Sequence, residues 1–469
     1  MTKRALVMGL GLFGGGVAVT RYLLAQDYSV LVTDLRDAAT LDKSIKELAG
    51  LDVEFRLGEH RHSDFESADL VIKSPAVRSD NEYIEAARRA GARVSSEIVL
   101  FAKACPAPIV GVTGSNGKTT TSHMVHAVLS DAWQRRGAKA WLGGNLGRSL
   151  LLDLEDIKAE DIVVLELSSF QLMDLAAAHF HPSHALITNI TPNHLDWHKD
   201  MAEYVRAKAS IFVGASEKST VVLNAEDEIC RRLAGQAAGQ VRWFGTGFRG
   251  QGVELRDEGL VDPSNQATIL PANELSLPGR HNLMNAAAAA ALGMALGIEP
   301  AQIAASLKSL KGVEHRLEFV REVKGVRYFN DSIATTPEST IAALRSFACP
   351  ITVLLGGSDK GTSFDELAQE IALTPALRKV YLNGPVAGRI NEAIHAACRA
   401  KPDPTRALVV EEVKSFDEAV LRNHRTPVPG SVFLMSPACA SFYEFREGEK
   451  FRNFEHRGEH FKSLVKGLE

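Results

Sequence analysis

Cysteine is scarce: five residues in 469, an odd number set far apart at 105, 230, 349, 398 and 439, without a CxxC pair. That excludes a disulfide framework and a cysteine-built zinc site, and reduced thiols in a cytoplasmic setting are expected. An excess of one charge is also missing, since 53 basic and 57 acidic residues leave a net charge of −4. No basic field for nucleic acid and no polybasic patch for a membrane surface follows. The longest apolar block, Ala286 to Ile298, is too short to span a bilayer and alanine-rich enough to be a packed helix. Near the start, Lys3 and Arg4 precede an apolar run, but glycines at 9, 11, 14, 15 and 16 interrupt what a signal peptide would need. What remains has the composition of a globular chain, 45% hydrophobic and 23% charged, long enough for about three domains.

The most informative stretch is Ile109-Val-Gly-Val-Thr-Gly-Ser-Asn-Gly-Lys-Thr-Thr-Thr121, an apolar strand entering a glycine turn that ends in Lys118 and Thr119. Gly114 and Gly117 let backbone N–H groups approach phosphate oxygens, Lys118 adds a point charge, and the Thr119 hydroxyl suits Mg²⁺ at a helix start. The standard eight-residue loop has another glycine where this chain has Val112, so an ordinary strand-turn-helix corner stays open on this motif alone. Downstream, Asp161-Ile-Val-Val-Leu-Glu166 predicts a buried strand ending in an acid, where a phosphate-loop enzyme keeps a second metal contact. A strand-end acid facing water is the alternative for Glu166 by itself.

The first block opens with strand Ala5–Met8, the pattern Gly9-x-Gly11-x-x-Gly14, a helix to about Ala25, and a strand that reaches Asp34 and Arg36. Three readings fit this Rossmann-type opening: NAD with Asp34 on its ribose, a nucleotide-sugar held through its pyrophosphate near Arg36 and Ser74, or glycines that only permit close packing. The second block adds His194, Asp196 and His198 after another apolar strand. This position favours magnesium and substrate contacts over zinc, and each histidine taken singly reads as a surface residue. Tyr204 to Lys208 puts a lysine on a helix, and Asn282 and Asn285 share one helix face, suited to an adenine edge or to capping, with capping the simpler reading of Asn282. In the third block strands end at Asn330-Asp331-Ser332, before Gly356-Gly-Ser-Asp-Lys360, and at Ser436-Pro-Ala-Cys-Ala-Ser441.

The expected architecture is α/β in three domains: Rossmann-like over 1–104, a central phosphate-loop domain with a parallel sheet over 105–312, and Rossmann-like over 313–469. Ligands are expected at the carboxyl ends of the strands. Gly312 reads as a hinge, and no feature suggests an assembly, so a monomer is expected.

The motifs Thr113-Gly-Ser-Asn-Gly-Lys-Thr119, Glu166-Leu-Ser-Ser-Phe-Gln-Leu172, Asn193-His-Leu-Asp196, His281-Asn-x-x-Asn285, His315-Arg316, Asn330-Asp-Ser332 and Ser436-Pro-Ala-Cys-Ala-Ser441 occur in an order that resembles the Mur ligases. The motif from Glu166 and the motif from Ser436 point to the glutamate-adding branch. The resemblance covers nearly the whole chain. It implies an ATP-dependent amide ligase of cytoplasmic peptidoglycan precursor synthesis that joins glutamate to UDP-N-acetylmuramoyl-L-alanine through an acyl phosphate. By the same resemblance Gly114, Asn116, Gly117, Lys118, Thr119, Thr120, Asn282, Asn285, Arg316 and Asp331 hold ATP. Thr119, Glu166, His194 and a carbamylated Lys208 serve two Mg²⁺, and Lys118, Glu166, His194 and Lys208 carry the catalysis. Gly11, Arg36, Ser74 and Asn145 contact the UDP-sugar, which leaves NAD unneeded. Thr335, Lys360, Ser441 and Phe454 take the glutamate. Three departures stand out: Leu35 where relatives often have a hydroxyl, Ile333 where they usually have lysine, and a longer segment after Ser441 in which Arg446 or Lys450 is the expected substitute cation. These departures keep L-glutamate open beside D-glutamate. A folylpolyglutamate synthase-like ligase and a non-enzymatic nucleotide sensor are the remaining alternatives.

Overall fold

The structure is a computed structural model that describes residues 3–12, 14–75, 77–78, 80–146, 149–193, 197–277, 279–310, 314–347, 349–359, 362–400, 407–446 and 448–469. The expectations placed on His194, Asp196, Gly312 and Lys360 lie outside the described residues. Two compact units form, one of residues 1–274 with 283–309 and one of 275–282 with 310–469.

The first unit carries two sheets. In the smaller, five parallel strands run in the order Val53–Leu57, Ser29–Asp34, Arg4–Met8, Leu70–Lys73, Arg93–Ser96. The chain reverses its winding between Arg4–Met8 and Leu70–Lys73, and at such a switch point the loops diverge and leave a crevice. The larger sheet has nine strands, with Ile109–Thr113 between His184–Ile187 and Ile162–Glu166. Ile109–Thr113 and Ile162–Glu166 are buried at every position, as parallel strands covered on both faces must be. Their C-terminal ends therefore deliver Gly114 and Glu166 to the same edge.

This sheet is not purely parallel. Beyond Gly252–Arg256 it continues into the antiparallel strands Gly259–Asp262 and Ala267–Pro271. Their turns are built on Asp257-Glu258-Gly259, where Gly259 has φ 143°, and on an Asp262 carboxylate that accepts from the Ser264 N–H at 2.9 Å. The alanine-rich helix is Arg280–Ala295, and Ala286 to Leu292 are all buried. Asn282 sits inside its first turn rather than at its N-cap, because helical geometry already begins at Arg280. The capping reading of Asn282 is thus corrected. Among the described residues no helix is long and apolar enough to cross a membrane.

The second unit holds a six-stranded sheet in the order Glu318–Val323, Val326–Asn330, Val432–Met435, Ile351–Leu355, Leu377–Leu382, Val409–Glu412, antiparallel only at the first pair. The segment after Ser441 forms a small hairpin, Glu444–Arg446 with Glu449–Lys450. Buried Phe445 and Phe451 stack with centroids 4.0 Å apart at its root. Arg446 is drawn off to Asp417 of the helix Phe416–Arg425 at 2.9 Å, and Lys450 is exposed. Arg446 is therefore committed to anchoring the hairpin and is not a spare cation.

Candidate active site

The phosphate loop is held open by contacts that only glycine permits. Gly114 has φ 151°, and a Cβ there would stand 1.8 Å from Thr188 Oγ1; Gly117 has φ 79°, and a Cβ would stand 2.6 Å from Asn285 Oδ1. Residues at and just beyond the end of the neighbouring strand clasp the loop. Asn189 Oδ1 accepts from the Asn116 N–H at 2.9 Å, the Thr188 hydroxyl donates to the Asn116 carbonyl at 2.6 Å, and the Ser115 hydroxyl donates to the Thr191 carbonyl at 2.7 Å. Helix Lys118–Arg135 begins directly after it, so its unpaired N–H groups and dipole face the loop. The Lys118 ammonium arcs back to the carbonyls of Gly114 and Ser115, 3.0 Å each.

Glu166, 2% exposed, sits beside this loop. Its two oxygens accept from the Thr119 hydroxyl at 2.7 Å and from the Asn145 amide at 2.9 Å. Asn145, expected at a sugar, therefore also steadies the acid. Thr120 is buried on the same helix. Lys208, on helix Met201–Ala209 and 2% exposed, donates from Nζ to the Gly114 carbonyl at 2.7 Å. Burial, with the Lys118 charge adding to it and Glu166 opposing, holds its pKa well below the usual lysine value.

The triplet reading at 194–198 fails at its third member. His198 is buried, hydrogen-bonded to the Ser169 hydroxyl at 2.9 Å and stacked on Phe170. Burial lowers its pKa. An imidazole turned into an aromatic core serves packing, not metal binding. Glu166-Leu-Ser-Ser-Phe-Gln continues into a capping box, with Ser168 and Gln171 satisfying each other's backbone at the start of helix Ser169–Ala177.

At the switch point of the five-stranded sheet lies a cavity of about 370 Å³, lined among others by Gly11, Ser74, Glu97, Asn145, Ser149 and Gln171. Three of the four residues expected at a UDP-sugar meet here, and Arg36 pairs instead with Asp34 at 3.6 Å. The Asp34 carboxylate accepts from the N–H groups of Gly11 at 3.1 Å and Arg36 at 2.9 Å. It is thereby engaged in shaping the glycine turn.

In the second unit, Arg316 occupies a turn where His315 and Leu317 both have positive φ, 63° and 41°. Such strain persists only where neighbours enforce it. The His315 N–H donates to Glu318 at 2.9 Å, its ring meets the Asn330 amide at 2.9 Å, and helix Phe454–Lys466 presses Gly458 against it. A Cβ on Gly458 would stand 2.1 Å from His315 Nδ1. Gly458→Ala is therefore expected to cost about 1–3 kcal/mol of stability; thermal melting checks it. Asp331 accepts from the Ser436 hydroxyl at 2.6 Å and the Leu317 N–H at 3.1 Å, and burial pushes its pKa up to about 6. Glu314, His315 and Glu459 approach one another closely, but the Lys462 ammonium already pairs with Glu459 at 2.7 Å and with Glu314.

Of the glutamate candidates, Ser441 is buried, while Thr335 and Phe454 are half-buried. The Phe454 carbonyl accepts from the Ser332 hydroxyl at 2.7 Å. Sequence reasoning missed Arg457, fully buried on helix Phe454–Lys466. Its guanidinium donates to the Ser332 hydroxyl at 3.0 Å and to the carbonyls of Ser332 at 2.8 Å and Cys439 at 3.2 Å. It ties together the Asn330-Asp-Ser and Ser436–Ser441 segments, and burial pushes its pKa down to about 10. One signal was available: an arginine three residues after Phe454 and four before Phe461, on the helix's apolar face.

Family models match the chain in three places: the Mur ligase MurD-like N-terminal domain over residues 3–96, the Mur ligase middle domain over 112–293, and the Mur ligase glutamate ligase domain over 315–439. The chain is 40% identical to the UDP-N-acetylmuramoylalanine--D-glutamate ligase of Roseiflexus sp. (strain RS-1), covering 99% of each chain. It is 39% identical to the protein of the same name from Symbiobacterium thermophilum, covering 100% of this chain and 99% of that one. Its fold is like that of the UDP-N-acetylmuramate-alanine ligase from Thermotoga maritima, with a TM-score of 0.60 at 21% identity over the whole of both chains. The MurF of Acinetobacter baumannii gives 0.57 at 18% identity, over 100% of this chain and 91% of that one. Full-length identity to curated relatives of one kind, joined to three matching family models, establishes that this chain belongs to the Mur ligase family.

Proposed function

We propose that the chain is an ATP-dependent ligase that adds D-glutamate to UDP-N-acetylmuramoyl-L-alanine in peptidoglycan precursor synthesis. The observation that carries this reading is the near-40% identity, end to end, with ligases of that name. The convergence of Lys118, Glu166 and Lys208 on one strand edge supports it. A carboxylate resists attack by an amine because its carbon is electron-rich and its leaving group would be oxide. Transfer of the γ-phosphoryl group of ATP to the alanyl carboxylate gives an acyl phosphate, which the glutamate amine attacks with loss of phosphate. Both steps crowd anions together, so positioning and charge neutralisation supply most of the acceleration.

In this reading the Gly114–Thr120 segment cradles the ATP phosphates, Lys118 neutralises the transferring group, and Asn282, Asn285, Arg316 and Asp331 take the nucleotide. The Thr119 hydroxyl, the Glu166 carboxylate and a Lys208 carbamate supply oxygen donors of the kind Mg²⁺ prefers, His194 joins them by resemblance to the family, and magnesium there would offset phosphate charge. The buried neighbourhood of Lys208 fits this, since only an unprotonated amine takes up CO₂. Gly11, Arg36, Ser74 and Asn145 take the UDP-sugar, and Thr335, Lys360, Ser441 and Phe454 the glutamate. Three domains divided near 104 and 312, and a cytoplasmic monomer without nucleic-acid or membrane partners, belong to the same proposal. The MurD-like N-terminal match speaks against a folylpolyglutamate synthase-like ligase.

Phosphate release with Mg-ATP and UDP-N-acetylmuramoyl-L-alanine is the test, with D- and L-glutamate in separate reactions. Turnover with D-glutamate alone is expected, with Ile333 a tolerated departure. Turnover with L-glutamate alone would reverse the stereochemical assignment, and silence with both would overturn the reading.

A further inference from the structure

The cavity at the switch point of the five-stranded sheet has two walls of opposite electrostatic character. One is the glycine loop, with Gly9, Gly11 and Gly14 at positive φ and helix Gly15–Ala25 starting behind it. Backbone N–H groups and a helix N-terminus make that wall suited to an anion. The other wall carries Glu97, the first residue of helix Glu97–Ala104, together with Asn145, Ser149 and Gln171. The Glu97 Oε1 accepts the Ser149 hydroxyl, and among the described residues no cation pairs with Glu97 and no hydrogen bond reaches its Oε2. Burial raises its pKa, with the Ser149 hydrogen bond only partly opposing.

A lone carboxyl group is a poor neighbour for an anionic ligand. The proposed substrate carries its charge at two places, the pyrophosphate that follows the uridine and the alanyl carboxylate at the far end, and either would be repelled by Glu97. Because Asn145 beside Glu97 also bonds Glu166, the part that runs from the pyrophosphate toward the carboxylate, not the uridine, faces this wall. Between them lies one neutral stretch rich in donors, the hexosamine ring with its hydroxyl groups and acetamido N–H. If the glycine wall takes the pyrophosphate, the ring comes next along the cavity. We propose that Glu97 is a specificity-determining residue that accepts a hydrogen bond from a neutral donor of the hexosamine, with Ser149 fixing the orientation of its carboxyl group. This rests on the nucleotide-sugar reading above.

The test compares two ligands on the full-length protein. UDP lacks the sugar, whereas UDP-N-acetylmuramoyl-L-alanine carries it. In Glu97→Gln the affinity for the nucleotide-sugar is expected to fall about 10- to 100-fold, the range for a hydrogen bond to a charged acceptor, while the Kd for UDP and the KM for ATP stay unchanged. Ser149→Ala should shift the same ligand in the same direction by less. Equal losses for UDP and the nucleotide-sugar would mean general damage to the pocket and overturn the proposal, as would an unchanged nucleotide-sugar affinity. Wild-type protein that binds the nucleotide-sugar but does not turn over would sink the ligase reading and leave the binding comparison to decide the role of Glu97.

Discussion

Lys118→Met is expected to lower D-glutamate-dependent phosphate release by about 10³-fold, the scale on which a cation at a transferring phosphoryl group contributes. The substitution keeps most of the length of the side chain and removes the ammonium group, with its charge and its hydrogen-bond donors. The loop should survive it, because its shape is set by the close approaches at Gly114 and Gly117 and by the clasp from Thr188, Asn189 and Thr191. Loss of the two Lys118 hydrogen bonds to carbonyls of its own loop costs stability on the order of 1–3 kcal/mol each. A second consequence follows at Lys208, whose pKa the Lys118 charge helps to depress. In Lys118→Met that pressure is lifted, so the Lys208 pKa should rise toward, though not to, its ordinary value. Single-turnover phosphate release and a thermal melt separate the effects. A melt within a few degrees of wild type with activity retained above a tenth would remove Lys118 from the phosphoryl-transfer role.

The parts of the site legible in the sequence share one property: each is announced by its own neighbours in the chain. Glu166 ends a run of apolar residues, Lys118 follows a glycine turn, and Ser74 closes a short apolar strand. The fold was legible for the same reason, since strand and helix periods alternate with glycine turns. What stayed hidden depends on pairing across the chain. Asn145 reaches Glu166 because Ala140–Gly144 pairs with Ile162–Glu166. Arg457 bonds Ser332 across 125 positions, and its place on the apolar face of its helix signals burial without revealing the distant hydroxyl and carbonyls it meets. Asp417 claims Arg446, so counting charges in the longer segment suggested a role that packing had already taken. His198 misled by spacing. Two residues from Asp196 and four from His194, it looked like a member of a cluster, yet its ring contributes to the same aromatic core as Phe170, Trp197 and Tyr204.

Lys208→Arg is expected to lower turnover by about as much as Lys118→Met, although it keeps a cation, because the proposed role of Lys208 needs an amine that can stop being one. Carbamylation joins the neutral amine to CO₂, forms an N–C bond, releases one proton and leaves an anion with two oxygens. The amine is neutral only above its pKa, and burial beside Lys118 brings that threshold well down from the lysine value. A carbamate nitrogen still carries one N–H, so the hydrogen bond to the Gly114 carbonyl, 2.7 Å in this structure, can survive the modification. Arginine stays protonated and accepts no CO₂, and its guanidinium would bring a second permanent positive charge to a site that calls for oxygen ligands. Turnover under CO₂-free conditions should fall reversibly in the wild type and stay flat in the variant. Protein equilibrated with ¹³C-bicarbonate should give a carbamate carbonyl resonance in the wild type alone. Activity above a tenth of wild type in Lys208→Arg, or the same resonance in both proteins, would reduce Lys208 to a packing residue whose lowered pKa reflects nothing more than its burial.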